Sequence, residues 1–314
     1  MKILIIAFLR KDNLLKIIEN AISNGVKEIY LAIDGARNEK EHEMQKQMIE
    51  KVEELRKHGN KINMWKRDTN LGIAVSVITA IDWFFKYEEE GLIIEDDLIL
   101  SDSFYKFSAE MLKKFKLNKN ILMFSGNRFS IQTHKLSVAF CNYPQIWGWG
   151  TWKDKWLLMR ELILANHKLA PLDILDVRKK FLYFGAKRTV NSLIDTWDLP
   201  LAYEFLKGDY LCVIPPLNIV SNIGNDNFSV HTKSDHFPMN FPINNFDVSK
   251  LEFAEISRKT ISNENKFIEK NIFNIRWHHH FLLFYGPINS LIKKLSNKLY
   301  EHNLLERLNG VRLP

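Results

Sequence analysis

The stretch Gly91-Leu92-Ile93-Ile94-Glu95-Asp96-Asp97-Leu98 decides the reading of this chain. Gly91 opens a short apolar run of the kind that makes a buried strand, and three consecutive carboxylates close it. Adjacent acids at a strand end repel one another and form strands poorly, so a positive partner is expected beside them. In an open α/β sheet, ligands bind in the crevice beyond the carboxyl ends of the strands. A divalent cation carrying a nucleotide diphosphate explains both the acids and their place, because hard cations take oxygen ligands and share them with phosphates. A solvated acidic loop is the plainer alternative.

Upstream of the acids the pattern alternates. Residues 2–9 predict a buried strand, and Asp12 or Asn13 is placed to cap a helix with Leu14, Ile17, Ile18, Ala21 and Ile22 on one face. A strand over 28–33 ends at Asp34-Gly35, a charged helix covers 39–58, and a weaker strand covers 61–65. A loop, Arg67 to Gly72, leads into a helix from Ile73 to about Glu89. Strand and helix alternating in this way is the doubly wound α/β pattern. It gathers Arg10, Asp34, the loop containing Asn70, and Glu95–Asp97 on one sheet edge. A dinucleotide fold would follow its first strand with a glycine-rich loop. Here that position reads Phe8-Leu9-Arg10-Lys11-Asp12-Asn13, and no P-loop is present. A bound nucleotide would therefore be held by a cation and by side chains.

Downstream, a helix over 104–115 and a strand over 121–124 are expected. Pro144 to Trp152 is dense in tryptophan and glycine, with Trp147, Trp149 and Trp152. Indole faces stack on sugars and glycines admit close backbone approach, although large aromatics are mostly core residues. Residues 153–194 read as helical and chemically mute. Thr196-Trp197-Asp198-Leu199-Pro200 opens another helix, with Asp198 either its N-cap or a catalytic carboxylate. A polar loop over 225–236 contains His231.

The composition, 46% hydrophobic and 26% charged over 314 residues, is that of a globular protein with ample core. A net charge of +7 admits nucleic acid, a membrane surface or anionic substrates as partners. Zinc-finger spacing and RNA-binding aromatic signatures are absent, which sets nucleic acid aside. Cys141 and Cys212 stand unclustered, as in a reduced cytoplasm, and give neither a disulfide framework nor a metal site. The N-terminal apolar run lacks a signal-peptide cleavage site, and no run reaches membrane-spanning length.

Four stretches, Ile5-Ile6-Ala7-Phe8-Leu9-Arg10, Ala32-Ile33-Asp34, Ile94-Glu95-Asp96-Asp97-Leu98 with Phe104 behind it, and Trp197-Asp198 before Pro215, carry a resemblance. The chain resembles the GT-A class of nucleotide-sugar glycosyltransferases. Within that class it is most similar to the inverting N-acetylglucosaminyltransferase I family and related bacterial sugar transferases. The resemblance implies a doubly wound, Rossmann-like mixed sheet flanked by helices over 1–245, with a nucleotide-sugar half (1–125) and an acceptor half (126–245). It implies that Asp97 binds Mn²⁺ or Mg²⁺, that Glu95 and Asp96 contact the donor's sugar and ribose, and that Arg10 and Asp34 frame uracil. Asn70 joins them as a donor contact, with Asp198 the catalytic base. His231 stands where some GT-A enzymes place a late metal ligand. Trp147, Trp149 and Trp197 are the candidates for acceptor contact.

Residues 246–314 read as a helical, basic tail. Ile288, Leu291, Ile292, Leu295 and Leu299 share a face opposite Lys293, Lys294 and Lys298. That pattern suits a membrane surface, a partner subunit or packing on the domain. The expected protein is cytoplasmic, with peripheral membrane association through 276–314, taking a nucleotide-sugar donor and a glycan or lipid-linked acceptor. Competing readings are a sugar nucleotidylyltransferase and a non-catalytic binding module; the glycine-rich phosphate loop that nucleotidylyltransferases usually carry is missing.

Overall fold

The computed structural model describes residues 1–130, 136–165, 177–190, 194–224, 241–253, 255–272, 311, 313 and 314. Four strands, β1 (Lys2–Ala7), β2 (Glu28–Ile33), β3 (Ile62–Lys66) and β4 (Glu90–Glu95), run parallel as the alternating sequence pattern requires. After β4 the chain makes a short strand, β5 (Leu98–Leu100), and then β6 (Ile121–Ser125), β7 (Ala139–Cys141), β8 (Trp149–Trp152), β9 (Leu211–Ile214) and β10 (Val220–Asn222). The main sheet has eight strands in the order β3-β2-β1-β4-β8-β6-β9-β7, and β5 pairs antiparallel with β10 outside it.

The sheet is mixed because β8 runs antiparallel to both β4 and β6. The tryptophan-glycine stretch, for which the sequence pattern predicts no strand, thus ends in an interior strand of the sheet at Trp149–Trp152. Side chains alternate across a strand. Trp149 enters the core on one face and Trp152 the core on the other. At Gly150 a Cβ would lie 2.3 Å from the Phe124 ring and 2.8 Å from Leu92, so glycine lets the three strands close.

Helices cover both faces. α1 (Lys11–Ser23), α2 (Glu39–Lys57) and α4 (Asp102–Phe115) bury Leu14, Met48 and Phe107 on one side. α3 (Ile73–Tyr87), α5 (Lys153–Ala165), α6 (Val177–Val190) and α7 (Asp198–Gly208) bury Phe84, Trp156, Leu182 and Phe205 on the other. Burying side chains of this size is worth roughly 1.5–3 kcal/mol each, so both layers are strongly held to the sheet. The cap expected at Asp12 or Asn13 falls instead at Arg10, whose side chain caps nothing. Asn13 reaches across to donate to the carbonyls of Asp96 (2.7 Å) and Leu98 (3.1 Å), and so ties α1 to the acidic turn.

Cys141 and Cys212, far apart in sequence, are direct partners across β7 and β9, both buried and both free thiols. From the C-terminal region, α8 (Arg258–Asn271) packs into the domain: Glu264 pairs with buried Arg128, and Asn265 bonds with Asn142. Ser103 of α4 likewise binds Asn245 and the Phe246 backbone. The amphipathic stretch 288–299 lies outside the described residues. Among the described residues no helix is long and apolar enough to cross a membrane.

Candidate functional site

The strand order reverses at β1, where β2 lies on one side and β4 on the other. In an open α/β sheet the crevice beyond the carboxyl ends of the strands at such a switch point is the expected ligand site. Register puts their ends level, with Ile6 beside Glu95 and Ala7 beside Ile33. A cleft of about 330 Å³ opens at this point, lined by Phe8, Arg10, Asp34, Arg37, Asn70, Glu95, Asp96, Asp97 and Asp195 among others. The structure thus brings together Arg10, Asp34, Asn70 and all three acids of the decisive stretch.

The acids divide their work. Asp96 is 4% exposed and spends its carboxylate on the β1–α1 turn, accepting from the Phe8 amide at 2.7 Å and from the Arg10 guanidinium at 3.0 Å. For Glu95 and Asp97 the charge of Arg10 is outweighed by burial and by the neighbouring acids. Burial, then the charges of Asp97, Asp96 and Asp198, push the Glu95 carboxyl well above the ordinary carboxylate range. Burial and the neighbouring Asp96 raise Asp97 in the same direction, partly offset by Arg10 and a hydrogen bond from Asn222. Two buried carboxylates held in repulsion are what a cation would relieve.

Asp97 also passes a geometric test for a cation ligand. Its Oδ1 is buried with no hydrogen-bond partner among the described residues, an uncommon state for a polar atom in a folded protein. Beside Oδ2 a Cβ on Gly224 would stand only 2.4 Å away, so only glycine leaves that side of the carboxylate open. Among the described residues no three histidine, cysteine or acid side chains form a ligand cage. The arrangement fits a hard cation that takes one carboxylate from the protein and its other oxygens from phosphate and water.

Asp34, at the end of β2, is 6% exposed. It accepts from the Leu71 amide (3.1 Å) and the Asn70 carboxamide (3.0 Å), tying β2 to the loop before α3. Burial raises its carboxyl, against the pull of the Leu71 amide and nearby Arg67. Gln45 of α2 donates to the backbone of both Phe8 (3.2 Å) and Asp34 (2.7 Å). Arg37, unremarked in the sequence, sits over the Phe8 ring at 5.0 Å and pairs with Glu41 at 2.6 Å.

Asp198 is the first residue of α7, with Trp197 at the N-cap position, so Asp198 is not the cap. It accepts from the Thr196 hydroxyl and is near enough to Glu95 to raise that carboxyl. Asp195 had no sequence signal. Its carboxylate accepts the Ile73 amide at 2.7 Å and the Ala74 amide at 3.1 Å, at the start of α3.

The tryptophans separate. Trp149 and Trp197 are 1% and 2% exposed and stack on each other at 5.7 Å, leaving no ring face for a sugar. Their expected acceptor role is corrected to a core role, because both rings lie in the core between the sheet and the helices that cover this face. Trp147 is half-buried, its ring against Phe129 at 5.2 Å. His231 lies outside the described residues.

No family model matches the chain, and no curated protein does. Among solved structures it is similar to residues 1–349 of S. aureus TarS, at 11% identity and a TM-score of 0.39, over 69% of this chain and 58% of that one. It is similar to the inositol-1-phosphate CTP transferase from T. maritima, at 11% identity and TM-score 0.38, over 74% of this chain and 92% of that one. A third likeness is to UDP-glucose pyrophosphorylase complexed with UDP-glucose, at 10% identity and TM-score 0.37, over 68% and 89% of the two chains.

Proposed function

We propose that this protein is a metal-dependent, inverting glycosyltransferase that takes a sugar from a nucleotide diphosphate donor, of the UDP-sugar type, to a hydroxyl of a glycan or lipid-linked acceptor. The observation that carries the reading is the buried Asp97 Oδ1 at the β1/β4 crevice, which has no hydrogen-bond partner among the described residues, with Asp198 at the start of α7 within electrostatic reach of Glu95. Asp97 would hold Mn²⁺ or Mg²⁺, which supplies charge neutralisation for the departing diphosphate. Asp34, Asn70 and Arg10 shape the wall on which the nucleoside lies. Glu95 reaches the sugar side. Asp198 accepts the proton of the acceptor hydroxyl as that oxygen bonds to the anomeric carbon and the bond to the diphosphate breaks. The likeness to the N-acetylglucosaminyltransferase I family is in the same residues.

A sugar nucleotidylyltransferase would use the same crevice for a nucleoside triphosphate. The β1–α1 turn bears on the choice: it is short, contains no glycine, and is pinned to Asp96, so it offers no backbone cradle for a triphosphate. The deciding experiment is a panel of UDP-sugars and nucleoside triphosphates with Mn²⁺, read by thermal shift and by product. A ligand at a hundredfold its dissociation constant adds about 2.7 kcal/mol. Release of UDP from a stabilising UDP-sugar supports the proposal. Release of pyrophosphate from a triphosphate in the presence of a sugar phosphate replaces it with nucleotidyl transfer.

A further inference from the structure

We infer that Asp195 is the positioning residue for Asp198, locking the segment that carries the base to the wall of the donor cleft. The inference rests on the reading of Asp198 as base.

Helices are ordinarily capped by the residue just before them, where Ser, Thr, Asp or Asn does the work locally. At α3 the N-cap position holds Gly72, which has no side chain to offer. The cap comes instead from Asp195, 122 residues away from Ile73, with one oxygen on each of the first two amides. A two-point bond fixes both the place and the rotation of the carboxylate. What is local elsewhere is here a tertiary tie between the cleft wall and the approach to α7.

Each residue from Asp195 to Asp198 is then held. The Thr196 hydroxyl donates to Asp198, and Trp197 stacks on Trp149 of β8, the strand beside β4. Asp195 is committed to α3, whereas the Asp198 carboxylate answers to a hydroxyl and stays within electrostatic reach of Glu95. Ile73, Ser76 and Val77 of the same α3 line the cleft. Donor wall and base therefore move as one body, so a donor seated against α3 finds the base at a fixed distance. Misplacement of a catalytic group by about 1 Å costs on the order of a hundredfold in rate.

The test is a double-mutant cycle on the full chain. The rate is UDP release to water, which serves as acceptor, from whichever of UDP-glucose, UDP-galactose or UDP-N-acetylglucosamine most raises the melting temperature with Mn²⁺. Asp195→Ala should lower kcat by about ten- to a hundredfold, leaving KM for the donor within about threefold. Asp195→Asn, which keeps one acceptor oxygen, should recover part of the loss and serves if the alanine variant fails to fold. In an Asp198→Asn background, Asp195→Ala should cost nothing further, because the two act as one unit. The thermal shift by donor and Mn²⁺ should be the same in all variants. An equal loss in both backgrounds would show that Asp195 acts through the donor pocket or the fold, and unchanged kcat in both Asp195 variants would likewise overturn the inference. Near-normal turnover by Asp198→Asn alone is a separate result: it removes the base reading itself, and this inference with it.

Discussion

Asp96 and Arg10 form a partly buried pair, Oδ1 to Nη1 3.0 Å, across the ends of β4 and β1. The middle acid of the decisive stretch is thereby spoken for, and the charge left over belongs to Glu95 and Asp97. Asp96→Asn should cost about 2 kcal/mol, less than the ~3–5 kcal/mol for breaking a fully buried pair, because Arg10 keeps some contact with water. Urea unfolding measures it. Nucleotide-sugar affinity should fall in parallel, since the Phe8–Arg10 turn loses its anchor; full stability in the variant would contradict the structural role.

Asp97→Asn is expected to do the opposite to stability. Removing one of two repelling buried carboxylates should leave the metal-free protein at pH 8 as stable as the parent or more so, while Mn²⁺-dependent turnover drops at least about a hundredfold. Melting curves with and without Mn²⁺, beside a turnover assay, check both halves. A variant that still turns over normally with Mn²⁺ would remove Asp97 from the metal site.

Gly224→Ala probes the same place without touching a charge. The added methyl would fall 2.4 Å from Asp97 Oδ2, so either the carboxylate or the chain after β10 must move. The thermal shift produced by Mn²⁺ with nucleotide diphosphate should shrink by at least half, with the metal-free melting temperature within a few degrees of the parent (roughly 1 kcal/mol). An undiminished shift would place the cation away from Asp97.

For Asp198→Asn the expectation is unchanged donor binding and a loss of transfer of about a hundredfold or more. Because Trp197 holds the N-cap position, the substitution removes no cap, and the fold should be untouched. Donor affinity measured with transfer rate in one preparation separates the outcomes. Weakened affinity with a proportionate rate loss would make Asp198 a donor-binding residue.

Glu28 gives the acid limb of stability. It is 6% exposed; burial alone would raise its carboxyl, but hydrogen bonds from Lys2, Lys61 and Asn63 overcome this and hold it at about 2, against 4.5 ordinarily. A group whose folded value is depressed stabilises above its unfolded value and loses that contribution as pH falls through the folded one. Glu28→Gln should therefore cost about 1–2 kcal/mol at pH 7, discounted for the exposure of Lys61, and no more than about 0.4 kcal/mol at pH 2. Denaturation midpoints between pH 7 and 2 check it; a difference independent of pH would contradict the assignment.

The sequence alone determined the first half of the fold. Periodicity and strand-end residues over 1–97 predict β1, β2, β3 and β4, and with them the shared edge where Arg10, Asp34, Asn70 and Glu95–Asp97 meet, because local pattern and a parallel crossover rule leave few other arrangements. Tertiary structure alone decided the rest. Trp149-Gly150-Thr151-Trp152 is four residues long and mixes large and small side chains, and only its partners β4 and β6 make it a strand. Asp96 was distinguished from its two neighbours by Arg10 and the Phe8 amide, contacts 86 and 88 residues apart in sequence. Asp195 was silent for the same reason. Its meaning is a bond to amides that are exposed only where a helix begins, and which helix begins there is settled by packing across the whole sheet.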